Sequence, residues 1–253
     1  MRHPFRLLRT GFQAGWYNLG LDEALLEAVA REASPPVLRF YGWRPAAVSL
    51  GYFQSLEEEV DAAACRREGV DIVRRVSGGG AVFHHRELTY SIILPEHHPL
   101  AGKNIQESYS ILAPGIIRGL ALLGVSGEFA PINDILAGGR KVSGNAQTRR
   151  RGGVLQHGTV LLDLDVELMF SLLKVPPVKV SGLIQDVKDR VTCLKALVGR
   201  MVSYEEAESA LLEGFRAGLS LDFSESVLTE EEETQGQLIG RAKFCSPAWL
   251  QKK

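Results

Sequence analysis

The sequence predicts an α+β fold, with a mixed, largely antiparallel β-sheet flanked by helices. Three observations carry this. Short β-rich runs follow one another as hairpin-like neighbours through the middle of the chain. Helical periodicity and capping signals lie between and after them. The regular alternation of strand and crossover helix that marks a doubly wound parallel sheet is absent.

The first helix is expected over residues 18–31, where Leu21, Leu25, Ala28 and Val29 share one face. Residues 37–41 read as a strand and 47–50 as its partner, with Pro45 in the turn between them. Ser55 and Glu58 form a capping box that opens a helix expected to end at Gly69. A strand over 70–76, a glycine-rich turn and a strand over 88–94 follow. Tyr109, Leu112, Ile116, Leu120 and Leu123 are spaced by three and four, which predicts an amphipathic helix. Three more strands are expected over 132–136, 141–148 and 153–164. Ser203 and Glu206 form a second capping box, starting a helix that runs to about Gly218. Thr229 and the four glutamates behind it open a last helix, because carboxylates favour the positive end of the helix dipole. No repeat or linker divides the chain. Residues 1–253 therefore read as one domain whose part from about 200 onward is helical.

Composition removes several classes of function. Lys and Arg number 29 against 30 Asp and Glu, so the basic excess of a dedicated nucleic-acid binder is missing. No apolar run reaches the ~18–20 residues that span a bilayer, and the N-terminus lacks a signal-peptide core. Cys65, Cys193 and Cys245 are odd in number, far apart and in no C-x-x-C pair, which argues against a disulfide framework and a cysteine-based zinc site. The expected setting is the reducing cytoplasm, with neither nucleic acid nor membrane as partner. His84-His85 and His97-His98 are adjacent pairs whose members point to opposite faces of a strand, so no metal site is expected. H-E-x-x-H and G-x-S-x-G are both absent.

Three stretches carry candidate chemistry. In the first, Arg74 and Arg75 precede Val76, Ser77, Gly78, Gly79, Gly80, Ala81, Val82, Phe83 and His84. Three consecutive glycines let a ligand approach the backbone and let amides converge on an anion. The two arginines can supply forked donors to a carboxylate or phosphate. The alternative is a glycine hairpin with solvated arginines. Neither a Walker loop nor a Rossmann fingerprint is present.

The second stretch runs from Asn133-Asp134 through a Gly138-Gly139 turn to Lys141, Ser143, Gly144, Asn145 and Ala146. A core strand would carry larger β-branched residues. Small residues beside a lysine suggest the wall of a binding groove; the alternative is an exposed edge strand. In the third stretch, His157, Gly158 and Thr159 stand at the mouth of a strand that reads as buried. A lone histidine there is more often structural than catalytic.

Together the R-R-x-S-G-G-G-A-V-x-H block (from Arg74), the N-D…G-R-K-V-S-G-N-A-Q block (from Asn133) and the H-G-T-x-L-L block (from His157) resemble the lipoate–protein ligase and octanoyltransferase family. This belongs to the biotin/lipoate ligase catalytic-domain superfamily. The likeness covers about residues 15–200, and the segment from Tyr17 to Ala24 is similar to the family's first helix. It implies one long groove. The loop from Arg75 to Gly80 would line a lipoyl and nucleotide pocket, Lys141 would touch the activated acyl carbonyl or α-phosphate, and the segments around Asn133-Asp134 and His157-Gly158-Thr159 would complete it. A fixed cation with backbone amides suits the negative charge that builds on oxygen during acyl transfer.

The family has two branches. Ligases use ATP and Mg²⁺ to turn lipoate into lipoyl-AMP, then pass it to a lysine of a lipoyl-acceptor domain such as the glycine cleavage H protein or a 2-oxoacid dehydrogenase E2. Octanoyltransferases move octanoate from acyl carrier protein through a cysteine thioester. In transferases similar to this chain that cysteine lies shortly before the G-R-K block, whereas residues 126–131 here are Ser, Gly, Glu, Phe, Ala and Pro. Cys193, 36 residues after the histidine block, resembles an incidental position in a ligase-like R-V-x-x-L segment. The resemblance thus points to the ATP-dependent ligase. The transferase is the alternative, and a non-catalytic lipoate-binding protein a second one. After that segment the chain has no room for the accessory domain many ligases carry, so a separate accessory chain is expected as a partner.

Overall fold

The computed structural model describes residues 3–174 and 189–252. Its centre is made by strands that are buried on both faces. β2 (Val37–Trp43) and β6 (Glu87–Pro95) are buried at every position, so both sides of their sheet must be covered. The sheet also contains β1 (His3–Gln13), β7 (Gly127–Ala130), β8 (Asp134–Ala137), β9 (Arg140–Arg150), β10 (Gly153–Leu161) and β11 (Leu221–Ser226). Their order is β11-β1-β2-β6-β10-β9-β8-β7. β1 runs parallel to both β11 and β2, and the remaining pairs are antiparallel. The sheet is mixed and largely antiparallel, as the sequence predicts.

Successive side chains on a strand alternate between faces. Leu7, Leu38, Phe40 and Ile92 enter one core with α4 (Ile105–Leu122) and α7 (Tyr204–Gly218). Leu8, Val37, Tyr41 and Ile93 enter the opposite core with α1 (Gly15–Ala30). α8 (Glu230–Ile239) packs on α1, where Gly20 and Gly236 lack the side chains that would hold the helices apart. A three-stranded sheet, ordered β4-β3-β5, sits beside the large one. It consists of β3 (Ala47–Leu50), β4 (Asp71–Arg74) and β5 (Val82–His84). α3 (Ala62–Arg67) and α5 (Val166–Leu172) cover it around a third apolar cluster. Among the described residues, no helix is long and apolar enough to cross a membrane.

Several expectations are corrected. The strand at 47–50 does not pair with 37–41, because both edges of β2 are already occupied by β1 and β6; the turn at Pro45 instead carries the chain into the small sheet. The helix expected over 55–69 is broken. Ser55 makes no side-chain cap, α2 (Leu56–Glu59) is a single turn, Val60 turns extended, and Asp61 caps a fresh start by accepting from the Ala64 amide at 2.8 Å. Ser203 caps α7 through the Glu206 amide at 3.1 Å, but the Glu206 carboxylate turns to Arg200, so that box is half made. Thr229 and Glu232 form both halves of theirs. The C-terminal part is not wholly helical. It supplies β11, whose parallel partner β1 lies more than 200 residues away in sequence, a pairing that local pattern does not reveal.

Candidate active site

The site begins at the β8–β9 hairpin. Gly138 and Gly139, with φ of +57° and +72°, make the two-residue turn that L side chains resist. This turn sets Gly144 opposite Asp134. Lys141 Nζ then lies 2.7 Å from Asp134 Oδ1. Gly144 keeps the space open, since a Cβ there would stand 2.7 Å from Lys141 Nζ. β10 lies alongside and places Thr159 opposite Gly144, Gly158 opposite Asn145, and His157 opposite Ala146. The second and third motifs are therefore cross-strand neighbours. Asn145 fixes the open end of the hairpin: its Nδ2 donates to the Asn133 carbonyl at 2.9 Å, Asn133 Nδ2 donates back to the Asn145 carbonyl, and Tyr90 donates to Asn145 Oδ1.

The glycine loop leaves β4 and is held from beneath by Arg75. Arg75 Nη1 donates to the Ser49 carbonyl at 2.9 Å, and Nη2 to the carbonyls of Gly78 and Gly80 at 2.8 and 2.7 Å. Burial lowers its pKa to about 10, which leaves it cationic at neutral pH. Arg74 is fully buried and donates to the carbonyls of Gly51, Gln54 and Leu250 at 2.9, 2.6 and 2.7 Å. The two arginines, read in the sequence as donors to an anion, thus spend these donors on backbone oxygens. Arg75 shapes the loop, and Arg74 ties β4 to the C-terminal turn α9 (Pro247–Leu250).

Behind the loop runs a buried polar chain. Ser77 Oγ is 2.6 Å from His157 Nε2, and His157 Nδ1 is 3.7 Å from Asp22 Oδ2. Asp22 accepts from Arg39 Nη1 at 2.6 Å, Ser91 Oγ at 2.9 Å and Tyr41 OH at 3.0 Å. Burial alone would raise the Asp22 pKa; the Arg39 guanidinium and His157 outweigh it and hold the carboxyl below its usual range. Burial pushes the His157 imidazole down, against the pull of Asp22, so the ring is neutral at pH 7. A second chain runs through His84, whose Nε2 meets Ser49 Oγ and whose Nδ1 meets Glu87 Oε1, each at 2.7 Å, with the ring stacked on Trp43 at 3.9 Å.

These groups surround a cavity of about 280 Å³. Arg75, Gly78, Gly79, Gly80, Ala81 and His84 line it from the first motif, Asn133, Lys141, Gly144 and Ala146 from the second, and His157, Gly158 and Thr159 from the third. Three expected residues stand behind it. Ser77 is buried on His157, Asp134 holds Lys141, and Ser143 is buried outside the lining. Leu161 from the third motif adds apolar lining, and Leu19, Tyr41, Trp43, Met169 and Val191 supply more that the three motifs did not indicate. The available signal was the alternation along β2, which puts Tyr41 and Trp43 on one face. Asp22, Arg39, Ser49 and Glu87 were also missed; charged or polar residues inside otherwise apolar elements were the clue. Among the described residues, no carboxylate side chain lines the cavity and no three His, Cys, Asp or Glu groups gather as metal ligands.

All three cysteines are described, and none lines the cavity. Cys65 is buried in the cluster under the small sheet, where burial raises its thiol pKa. Cys193 is buried at the start of α6 (Leu194–Val198), two residues beyond Val191. Cys245 is exposed after the Gly240–Phe244 turn.

Comparison with known proteins gives a consistent pattern. Residues 14–216 match the model of the lipoyl protein ligase A/B catalytic domain. Octanoyltransferase LipM of Symbiobacterium thermophilum is 40% identical, with all of both chains covered. The LipM of Geobacillus kaustophilus is 38% identical over all of this chain and 99% of its own, and that of Bacillus subtilis 34% over the same shares. Among solved structures, a bi-partite lipoate protein ligase of Thermoplasma acidophilum, described with its E2 lipoyl domain, has a TM-score of 0.88 at 28% identity, covering 99% of this chain and 97% of that one. Lipoate-protein ligase A bound with ATP has a TM-score of 0.84 at 29% identity, covering 99% of both.

The ATP-dependent ligase reading of the sequence is corrected by the full-length relatives, which are octanoyltransferases. The reading leaned on a missing cysteine before the G-R-K block. A thiolate decides how an acyl group is passed on, not which activated donor delivers it. The ATP and Mg²⁺ expected with the ligase reaction belong to that reaction.

Proposed function

The chain belongs to the lipoyl protein ligase A/B catalytic-domain family, and on that premise we propose that it is an octanoyltransferase. It takes octanoate as the thioester of acyl carrier protein and delivers it to a lysine of a lipoyl-acceptor domain, either a glycine cleavage H protein or a 2-oxoacid dehydrogenase E2. The observation that carries the reading is the identity of 34–40% with octanoyltransferases over essentially whole chains. The site supports it. Apolar groups such as Leu19, Trp43, Leu161 and Met169 suit a short acyl chain, and they share the cavity with one half-exposed cation, Lys141.

In this reading the octanoyl tail lies among the apolar groups with its carbonyl towards Lys141. Attack on that carbonyl moves charge onto its oxygen, and the Lys141 ammonium stabilises the oxyanion in a water-poor site. Asp134 holds the lysine in place, and Gly144 leaves it room. Arg75 keeps the loop carbonyls turned inward, which shapes the opposite wall.

The test is the intact mass of an acceptor domain after incubation with the protein and octanoyl carrier protein. A gain of one octanoyl group, in amide linkage to the acceptor lysine and without added nucleotide, is the expected outcome. An unmodified acceptor overturns the proposal.

A further inference from the structure

Next to the glycine loop lies a group of cations that octanoyl transfer at Lys141 leaves unused. Arg150 follows Gly144, Ala146 and Thr148 at two-residue steps along β9, so it shares a face with the first two, which line the cavity. Four residues at ~3.3 Å each put it ~13 Å beyond Ala146 along the strand. Its Nη1 is 3.6 Å from Glu23 Oε1 on α1, and Lys243 Nζ takes the same carboxylate at 2.8 and 2.6 Å. Arg151 pairs with Glu27, one helical turn further along α1. Lys252 completes the group. Its Nζ lies 3.9 Å from the centre of the Tyr52 ring and donates to the Tyr52 hydroxyl, and among the described residues it pairs with no carboxylate.

These cations converge on an aromatic platform. Lys243 Nζ sits 4.4 Å from the centre of the Trp249 ring, and Tyr52 meets Trp249 edge-on at 5.8 Å. Phe53, 83% exposed, extends the surface beside Tyr52. The hydrogen bond from Lys252 holds the Tyr52 hydroxyl below its usual pKa, and Arg150 and Lys243 pull the same way, so three cations bear on one phenol. Four cations here face two acids, Glu23 and Glu27, in a chain whose formal charge is -1. The excess is local, and it gives this face a positive field that the whole molecule lacks.

The platform is fixed to the cavity wall. Tyr52 donates its amide to the Ser77 carbonyl at 2.9 Å, and Gly51 lies so close to the glycine loop that a Cβ there would overlap the Gly79 carbonyl. Trp249 donates its indole N–H to the Arg74 carbonyl at 2.8 Å, and the Arg74 guanidinium donates to the carbonyls of Gly51 and Leu250. Arg75, the next residue, holds the Gly78 and Gly80 carbonyls of the loop that lines the cavity. The two arginines therefore tie platform and cavity wall together at the end of β4.

Resting on the octanoyltransferase reading above, we propose that this platform is the docking surface for the carrier protein of the octanoyl donor, with Lys252, Arg150 and Arg151 meeting an acidic face around the base of its arm. The reaction has two protein substrates, and charge tells them apart. The acceptor brings a lysine, itself a cation. The donor carries its thioester on a phosphopantetheine arm, so an anionic phosphodiester stands where arm and carrier join. A face with excess cations suits the donor. The arm also requires the body of the carrier to rest away from the reacting carbonyl, and the platform borders the cavity without lining it. Complementary charge speeds the encounter, and Tyr52 and Phe53 supply the aromatic contact that interface cores favour.

The experiment measures steady-state transfer with octanoyl carrier protein and acceptor varied separately. Arg150→Gln combined with Lys252→Gln is expected to raise the KM for octanoyl carrier protein about tenfold, with the acceptor KM and the kcat at saturating carrier close to wild type. The fall of kcat/KM for the carrier with added salt is expected to flatten in this variant. Arg118→Gln combined with Arg216→Gln removes the same charge from α4 and α7, on the opposite side of the sheet, and is expected to leave both KM values unchanged. An unchanged carrier KM in the first variant overturns the inference. So does a rise confined to the acceptor KM, which assigns this face to the acceptor, and so does an equal rise in the control pair, which makes it an effect of net charge. If the first variant does not fold, Lys252→Gln alone, which breaks no described carboxylate pair, decides by the same comparison with a rise of about threefold. Each of these results leaves octanoyl transfer by the wild-type protein in place. Absence of any amide from the wild-type protein overturns the proposed function together with this inference.

Discussion

Arg39 Nη1 sits 2.6 Å from Asp22 Oδ1, with both side chains shut off from solvent. The pair joins β2 to α1, and through Asp22 it reaches Tyr41, Ser91 and His157. A buried ion pair is weak evidence for net stability, but removing one partner strands the other charge. Asp22→Ala is expected to cost about 3–5 kcal/mol in urea unfolding.

The same pair predicts a dependence on pH. The folded Asp22 pKa is depressed, so its contribution is complete above the unfolded carboxyl pKa of about 3.9 and is lost as pH falls through the folded value. The stability gap between wild type and Asp22→Ala is therefore expected to be constant from about pH 5 to 7 and to narrow in acid. A gap that widens as pH falls contradicts the assignment.

Lys141 and Asp134 separate charge from positioning. Lys141→Met removes the cation and is expected to lower kcat by about 10²–10³-fold, the range for losing one oxyanion donor. Asp134→Asn keeps Lys141 charged and removes only its 2.7 Å tether. Its effect is expected to be smaller, about tenfold, in the same transfer assay.

Two glycines on facing strands should fail differently. At Gly144 a Cβ meets the far end of the Lys141 side chain, at 2.6 and 2.7 Å, which can swing away. Gly144→Ala is expected to keep most of its stability and lose activity, because the displaced part is the working cation. At Gly158 a Cβ overlaps Asn145 Oδ1 and lies 2.8 Å from the Tyr90 ring, both buried. Gly158→Ala is expected to lower the melting temperature as well as the rate, since overpacking of this kind costs about 1–3 kcal/mol.

Thr229 offers a control away from the cavity. Its hydroxyl accepts from the Glu232 amide at 3.2 Å, and Glu232 returns the bond to the Thr229 amide at 2.9 Å. Thr229→Ala is expected to cost about 1 kcal/mol of stability and to leave transfer per folded molecule unchanged.

Local sequence was enough wherever a few neighbouring residues decide the backbone. The paired glycines at 138 and 139 made the β8–β9 turn, Thr229 and Glu232 made a helix start, and the three- and four-residue spacing from Tyr109 to Leu120 lies within α4. The same holds for the site motifs, each a contiguous block in which charged or polar groups sit among glycines. Tertiary structure decided the rest, because the deciding partners are remote in sequence. β1 needs β11, more than 200 residues on, and β3 lost its expected partner because β1 and β6 already flank β2. Asp22 is one of three acids in α1, and nothing local singles it out until Arg39 and His157 meet it; Arg75 reads as an anion donor until the Ser49 and loop carbonyls take up its Nη groups. The cysteines are the plainest case. Their spacing in the chain excluded disulfides and zinc, but only packing could show that none of them faces the cavity, since burial is a property of what surrounds a side chain and not of its neighbours in sequence.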